Sequence, residues 1–202
     1  MKIMVSVQYI VVEASESTTA GGFYESLGLG TRVRTRASEA STSGFRGFLL
    51  GLVVAQPATV DTLIDSALAA GATSLNPAAK SLWGYGGAVQ APDGTMVTVA
   101  SSSKKNTGSA SREIDEIVLQ LGVDDVATSK QFYTERGFSV GKSYGRKYVE
   151  FETSPVSLTL NGRRSLAKTA GVSPDGSGSH RLVICGDLDP FTDPDGYVWE
   201  RS

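Results

Sequence analysis

Apolar residues along this chain follow two rhythms, one of helices and one of strands. Ala20, Phe23, Tyr24 and Leu27 recur at i, i+3, i+4 and i+7, and Val60, Leu63, Ile64, Ala67 and Leu68 repeat the pattern more cleanly. Each spacing gathers one apolar stripe on a helix. The expected helices are 15–27, with Ser15 or Ser17 as N-cap and Gly28 behind it, and 59–70, closed by Gly71. A third, 125–136, ends at Gly137, and a short fourth covers 163–170. Strands are expected at 3–13, 31–36, 45–54, 88–90 and 96–100, then at 114–123, 138–143, 147–152, 156–160, 180–186 and 197–200. In one of them Val149 and Phe151 alternate with Glu150 and Glu152, as in a strand with one buried face.

The order of elements repeats, and so do two motifs. Pro92-Asp93-Gly94 and Pro194-Asp195-Gly196 are tight turns, each feeding a short strand. Phe23-Tyr24-x-x-x-Gly28 matches Phe132-Tyr133-x-x-x-Gly137. Both signals point to a repeat of about half the chain. The polar, small-residue run Ser101–Ser111 reads as a linker, which gives a first module over 1–102, a linker over 103–112 and a second module over 113–202. The stretch from Ile184 to Asp195 is much shorter than that from Val54 to Asp93, so the second module lacks the connecting helix that 59–70 supplies in the first. One side of the second sheet is then left open or covered by 161–179.

Composition narrows the class. Hydrophobic residues make up 40% and charged residues 20% of 202, ordinary for a globular protein. A net charge of −2 argues against nucleic acid or an anionic membrane as partner. No apolar run approaches the ~20 residues needed to span a bilayer. The first residues carry no signal-peptide pattern, and the lone Cys185 suits a reducing compartment, so a cytoplasmic protein is expected. Cys185 sits in the apolar Leu182–Cys185 run and reads as core, not as a nucleophile.

A strand, a helix ending in Phe-Tyr-x-x-x-Gly, several strands, Trp83-Gly84-Tyr85-Gly86-Gly87 and a terminal Pro-Asp-Gly-x-x-x-Glu, all in a duplicated frame, resemble the vicinal oxygen chelate superfamily. That superfamily includes glyoxalase I, bleomycin-resistance proteins and extradiol dioxygenases. The resemblance implies an α+β fold of two tandem βαβββ modules whose curved mixed sheets form a cavity, paired within the chain or across a homodimer. It also implies where a divalent metal would sit in enzyme members, on His, Gln or Glu of the first and last strands of each module. Glu200 occupies one such position, but the matching position of the first half is Thr98. On the first strands the count from the helix starts lands on Tyr9 and Val118; a bulge shifts it to Gln8 and Glu116. Only that slip gives the set Gln8, Glu116 and Glu200.

The sequence therefore lies closer to metal-free binding members, with no cofactor and with a small aromatic or apolar molecule as partner, held for sequestration, resistance or detoxification. Trp83, Tyr85 and Trp199 are the candidate ligand-binding wall, and an aromatic wall suits a flat ligand. The single histidine, His180, follows the Ser173–Ser179 loop and either reaches the cavity mouth or stands exposed. The alternative reading is a lyase, isomerase or dioxygenase in which Mn, Fe, Ni or Zn on Gln8, Glu116 and Glu200 polarises vicinal oxygens of a substrate. The glycines of the Ser173–Ser179 loop lack the lysine and strand context of a nucleotide loop.

Overall fold

The computed structural model describes residues 4–202, so Ile3, the expected start of the first strand, lies outside the described residues. The chain opens with β1 (Ser6–Ala14), α1 (Ser17–Ser26), β2 (Val33–Ala37) and the short β3 (Thr42–Gly44). A complete βαβββ unit follows: β4 (Phe48–Val53), α2 (Pro57–Ala69), β5 (Thr73–Ser81), β6 (Gly84–Gln90) and β7 (Met96–Ser101). A second comes directly after it: β8 (Glu116–Val123), α3 (Val126–Glu135), β9 (Val140–Tyr144), β10 (Tyr148–Phe151) and β11 (Ser154–Gly162). The rest is α4 (Arg163–Ala170), β12 (Gly176–Gly178), β13 (Leu182–Gly186), β14 (Phe191–Thr192) and β15 (Val198–Arg201), with no helix between β13 and β15. The fold is thus α+β, with two tandem βαβββ modules and a curved mixed sheet.

In each complete unit the first strand lies parallel beside the fourth, β4 against β7 and β8 against β11. The two first strands then meet antiparallel, Leu50 opposite Leu119, and fuse the units into one run, β5-β6-β7-β4-β8-β11-β10-β9. The chain ends build a reduced copy of the same plan. There β1 and β13 meet antiparallel, Ile10 opposite Ile184, with β2 parallel to β1 and β15 parallel to β13. Two pairs, Ser6–Ser154 and Val7–Pro155, join this smaller sheet to the larger one. Each half of the chain therefore contains one complete and one reduced unit, in opposite order.

Period-2 alternation decides the faces. Phe48, Leu50, Leu52, Val97, Val99, Leu119, Leu121, Leu158 and Leu160 all turn to one face and form the main core with Val60, Leu63 and Ile64 of α2. The repeated motifs are stitched across units. Tyr24 on α1 donates to Asp93 Oδ2 at 2.7 Å, and Tyr133 on α3 donates to Asp193 Oδ2 at 2.7 Å. Burial above all, then the neighbouring carboxylate, holds both phenols well above their ordinary pKa, so they stay donors.

Several local outcomes differ from the sequence reading, among them the short strands β3, β12 and β14, which were not expected. α1 begins at Ser17 with Glu16 at the N-cap and no side-chain cap, so neither Ser15 nor Ser17 caps it. α2 starts two residues early because Pro57 fits the first turn, where its missing N–H costs nothing. β5 was not expected at all: Thr73–Ser81 holds Asn76, Pro77 and the small residues Ser74, Ala78, Ala79 and Ser81, and survives as an edge strand with two register shifts. The 103–112 segment is tied down, since Gln56 Oε1 accepts from Thr107 N (2.7 Å) and Gly108 N (3.0 Å) while its Nε2 donates to Ser109 O (2.7 Å).

Candidate functional site

The face of the large sheet turned away from α2 and α3 carries the other half of each alternation. One end of it is covered by α4, whose Leu166, Ala167 and Ala170 pack on Phe45, Leu49 and Met96 in a small separate core. Residues 161–179 thus do cover part of a sheet. Beyond α4 the face is open, and two adjoining cavities of about 470 and 200 Å³ share Thr98, Ala100 and Gln120. The larger reaches Trp83 and Asn76; the smaller reaches Gly51, Val118, Thr159 and Tyr148.

The register makes this floor nearly two-fold symmetric about the Leu50–Leu119 pair. Gly51 lies beside Thr98 on one unit, and Gln120 beside Thr159 on the other. These are the first- and last-strand positions where a metal centre of this architecture would need its ligands. Gly, Thr, Gln and Thr supply no imidazole and no carboxylate, so this donor set does not fit a divalent metal. The equivalent places on the smaller sheet are Val11 beside Arg34 and Cys185 beside Glu200; they offer one thiol and one carboxylate, the latter already held by Arg36. Among the described residues no group of three or more His, Cys, Asp or Glu is placed to hold a metal.

The three sequence candidates for a metal set are each engaged elsewhere. Gln8 sits at the β1 bulge and donates to Ser6 Oγ. Glu116 accepts from Ser157 Oγ on β11. Glu200 takes both terminal nitrogens of Arg36, at 3.1 and 2.9 Å, and that pairing first of all holds its carboxyl below the ordinary glutamate value. Val118, reached without the slip, is the residue on the groove floor.

The aromatic candidates separate sharply. Trp83, at the β5–β6 turn, is 84% exposed and stands at the larger cavity. Tyr85 also borders that cavity, but its hydroxyl donates to Asp61 on α2 at 2.7 Å. Trp199 does not belong to the wall: it is 2% exposed, stacks on Phe191 at 5.2 Å, and donates from Nε1 to Tyr133 Oη at 3.2 Å. Its neighbour Glu200 faces the other way, as alternation along a strand demands. His180 is half-buried and does not border this groove; it lines a separate recess of about 200 Å³ beside Arg46, Gly122 and Asp195. Its ring stacks on Tyr197 at 4.0 Å, with Nδ1 2.6 Å from Arg46 O and Nε2 2.8 Å from Asp195 O, so it is a structural clamp.

Sequence reasoning missed Gly51, Gln120, Thr159 and Tyr148, which carry no motif and enter the site only through register. Tyr148 donates to Glu150 Oε2 at 3.1 Å; burial first and the Glu150 charge second raise its phenol, which keeps it neutral. A wider recess of about 880 Å³ opens at the start of α4 beside Arg146 and Arg163. Two of its four cations are engaged, Arg146 by Asp125 and Arg163 by the carbonyls of Pro174 and Phe45; Lys147 and Arg164 also line it.

No family model matches the chain, and no curated protein matches it. Solved structures do. Glyoxalase I from Zea mays superposes with a TM-score of 0.61 at 14% identity, covering 96% of this chain and 91% of that one. A "putative dioxygenase" from Bacillus subtilis subsp. subtilis str. 168 gives a TM-score of 0.61 at 9% identity, covering 98% of this chain and 85% of that one. Such identities establish likeness of fold alone: the chain has the fold of the vicinal oxygen chelate superfamily.

Proposed function

We propose that this protein binds a small, flat, largely apolar molecule in the groove of the large sheet, without a metal centre, and holds it for sequestration or detoxification. The observation that carries this reading is the floor itself. Two joined cavities lie across the junction of the two complete units, where Gly51, Thr98, Gln120 and Thr159 replace any charged ligand set. Trp83, almost wholly solvated, offers a ring face at the edge of that floor. Concave, mostly uncharged sites with a few placed polar groups are the usual form of small-molecule pockets.

The test is a thermal-shift and calorimetric screen of planar aromatic compounds, with elemental mass spectrometry of the purified protein alongside. A true ligand at about a hundred times its Kd stabilises by about 2.7 kcal/mol, or roughly 5–10 °C for a chain of this size. Trp83→Ala should weaken binding by roughly two- to tenfold, the range of one stacking contact. Stoichiometric Mn, Fe, Ni or Zn that survives dialysis would overturn the metal-free reading.

A further inference from the structure

The groove floor holds polar side chains that the protein itself leaves unused. Gln120 borders both cavities, and among the described residues neither end of its amide has a hydrogen-bond partner; the Thr98 hydroxyl beside it has none either. Thr159, paired with Gln120 across the sheet, accepts from Asn161 Nδ2 at 3.1 Å and keeps its own O–H to donate. The absence of a side chain at position 51 is what seats the amide. A Cβ on Gly51 would lie 2.8 Å from Gln120 Nε2 and 3.5 Å from Thr98 Oγ1, so any other residue would push the amide off the floor.

A carboxamide presents an acceptor and a donor side by side. Its complement is a group with a donor and an acceptor at the same spacing, which in a ring is a lactam, an N–H beside a C=O. Gln120, Thr98 and Thr159 carry no charge, and the carboxylate in register with them, Glu150, is already engaged by Tyr148 and Lys142, so a neutral complement suits this part of the floor. A plain hydrocarbon would bury the amide without a partner and forfeit its hydrogen bonds with water. From these facts we propose that the groove takes a neutral, planar heterocycle with a lactam edge, that edge paired with Gln120 and the ring extending toward Trp83. This rests on the small-molecule reading above and narrows it to one chemical class.

The experiment is isothermal calorimetry on the full chain with three probes: quinolin-2(1H)-one, its N-methyl derivative, and naphthalene. The lactam should bind about tenfold or more tightly than the other two, which lack the donor or both groups. In Gln120→Leu that preference should fall below about twofold, while naphthalene binding holds and so reports an intact groove. Gly51→Ala, which displaces the amide without removing it, should also erode the preference. Equal binding of all three probes by the wild type would overturn the lactam assignment and leave the small-molecule reading standing. A preference that persists in Gln120→Leu would overturn the role of that residue. Failure of every probe to bind below about 1 mM would overturn both readings together.

Discussion

Replacing Tyr133 by Phe removes one oxygen that serves two buried partners. Asp193 Oδ2 loses the donor 2.7 Å away, and Trp199 Nε1 loses its acceptor at 3.2 Å. The ring contacts with Phe138, Phe151 and Trp199 do not depend on the hydroxyl. A bond to a charged group contributes roughly 1.5–3 kcal/mol and a neutral one about 1, so the variant should lose about 3 kcal/mol. The sister change Tyr24→Phe removes only the bond to Asp93, which is less enclosed, and should lose about half as much. For a chain of this length, 1 kcal/mol corresponds to roughly 2–4 °C in Tm. The drop should then be about 6–12 °C for Tyr133→Phe and half that for Tyr24→Phe. Urea denaturation at pH 7 followed by far-UV circular dichroism gives both free-energy losses, provided the m-values agree, and thermal melts give the Tm drops. If Tyr133→Phe cost no more than Tyr24→Phe, the indole–phenol–carboxylate chain would not be the stabilising element argued here.

Gln56→Ala should release residues 107–109 from α2 and expose the neighbouring Lys104 and Lys105 to trypsin. Cleavage there should become several-fold faster, and an unchanged rate would place the anchoring of that segment elsewhere. The Glu200–Arg36 pair adds a pH dependence of known sign. Because the folded carboxyl titrates below the ordinary glutamate value, its contribution is present above about pH 4.3 and fades as pH falls through the depressed folded value. Both side chains are over two-fifths exposed, so solvent screening limits the contribution to at most about 1 kcal/mol. Glu200→Gln should therefore match the wild type at pH 3, fall slightly below it at pH 6, and close that gap in high salt. A gap that widened at low pH would contradict the assignment.

The fold could be read from the chain where periodicity was long and clean. α2, α3 and α4 lie within a few residues of their expected places because stripes such as Val60–Leu63–Ile64–Ala67 admit one period only. The duplication was visible as well, since the buried Tyr–Asp stitches demand the same residues in both halves. What stayed hidden was pairing. That β4 and β8 meet antiparallel at Leu50 and Leu119 is a long-range fact with no local signature, and it alone brings Gly51, Thr98, Gln120 and Thr159 together. β5 was lost because Asn76 and Pro77 contradict strand propensity and only its edge position tolerates them. Trp199 was the avoidable error: once Glu200 is given to one face of β15, alternation gives Trp199 to the other.

The seating of β1 also sets a timetable for synthesis. Its longest antiparallel partner, β13, begins at Leu182, so residues 6–14 leave the ribosome long before that partner exists. The units spanning 48–162 can close their own sheet first, through the β4–β8 seam. Until residues 182–186 emerge, β1 keeps a free edge with Ile10 and Val12 awaiting cover. Chains stalled or cut short of Leu182 would be the aggregation-prone species, and a chaperone would meet them at the uncovered β1.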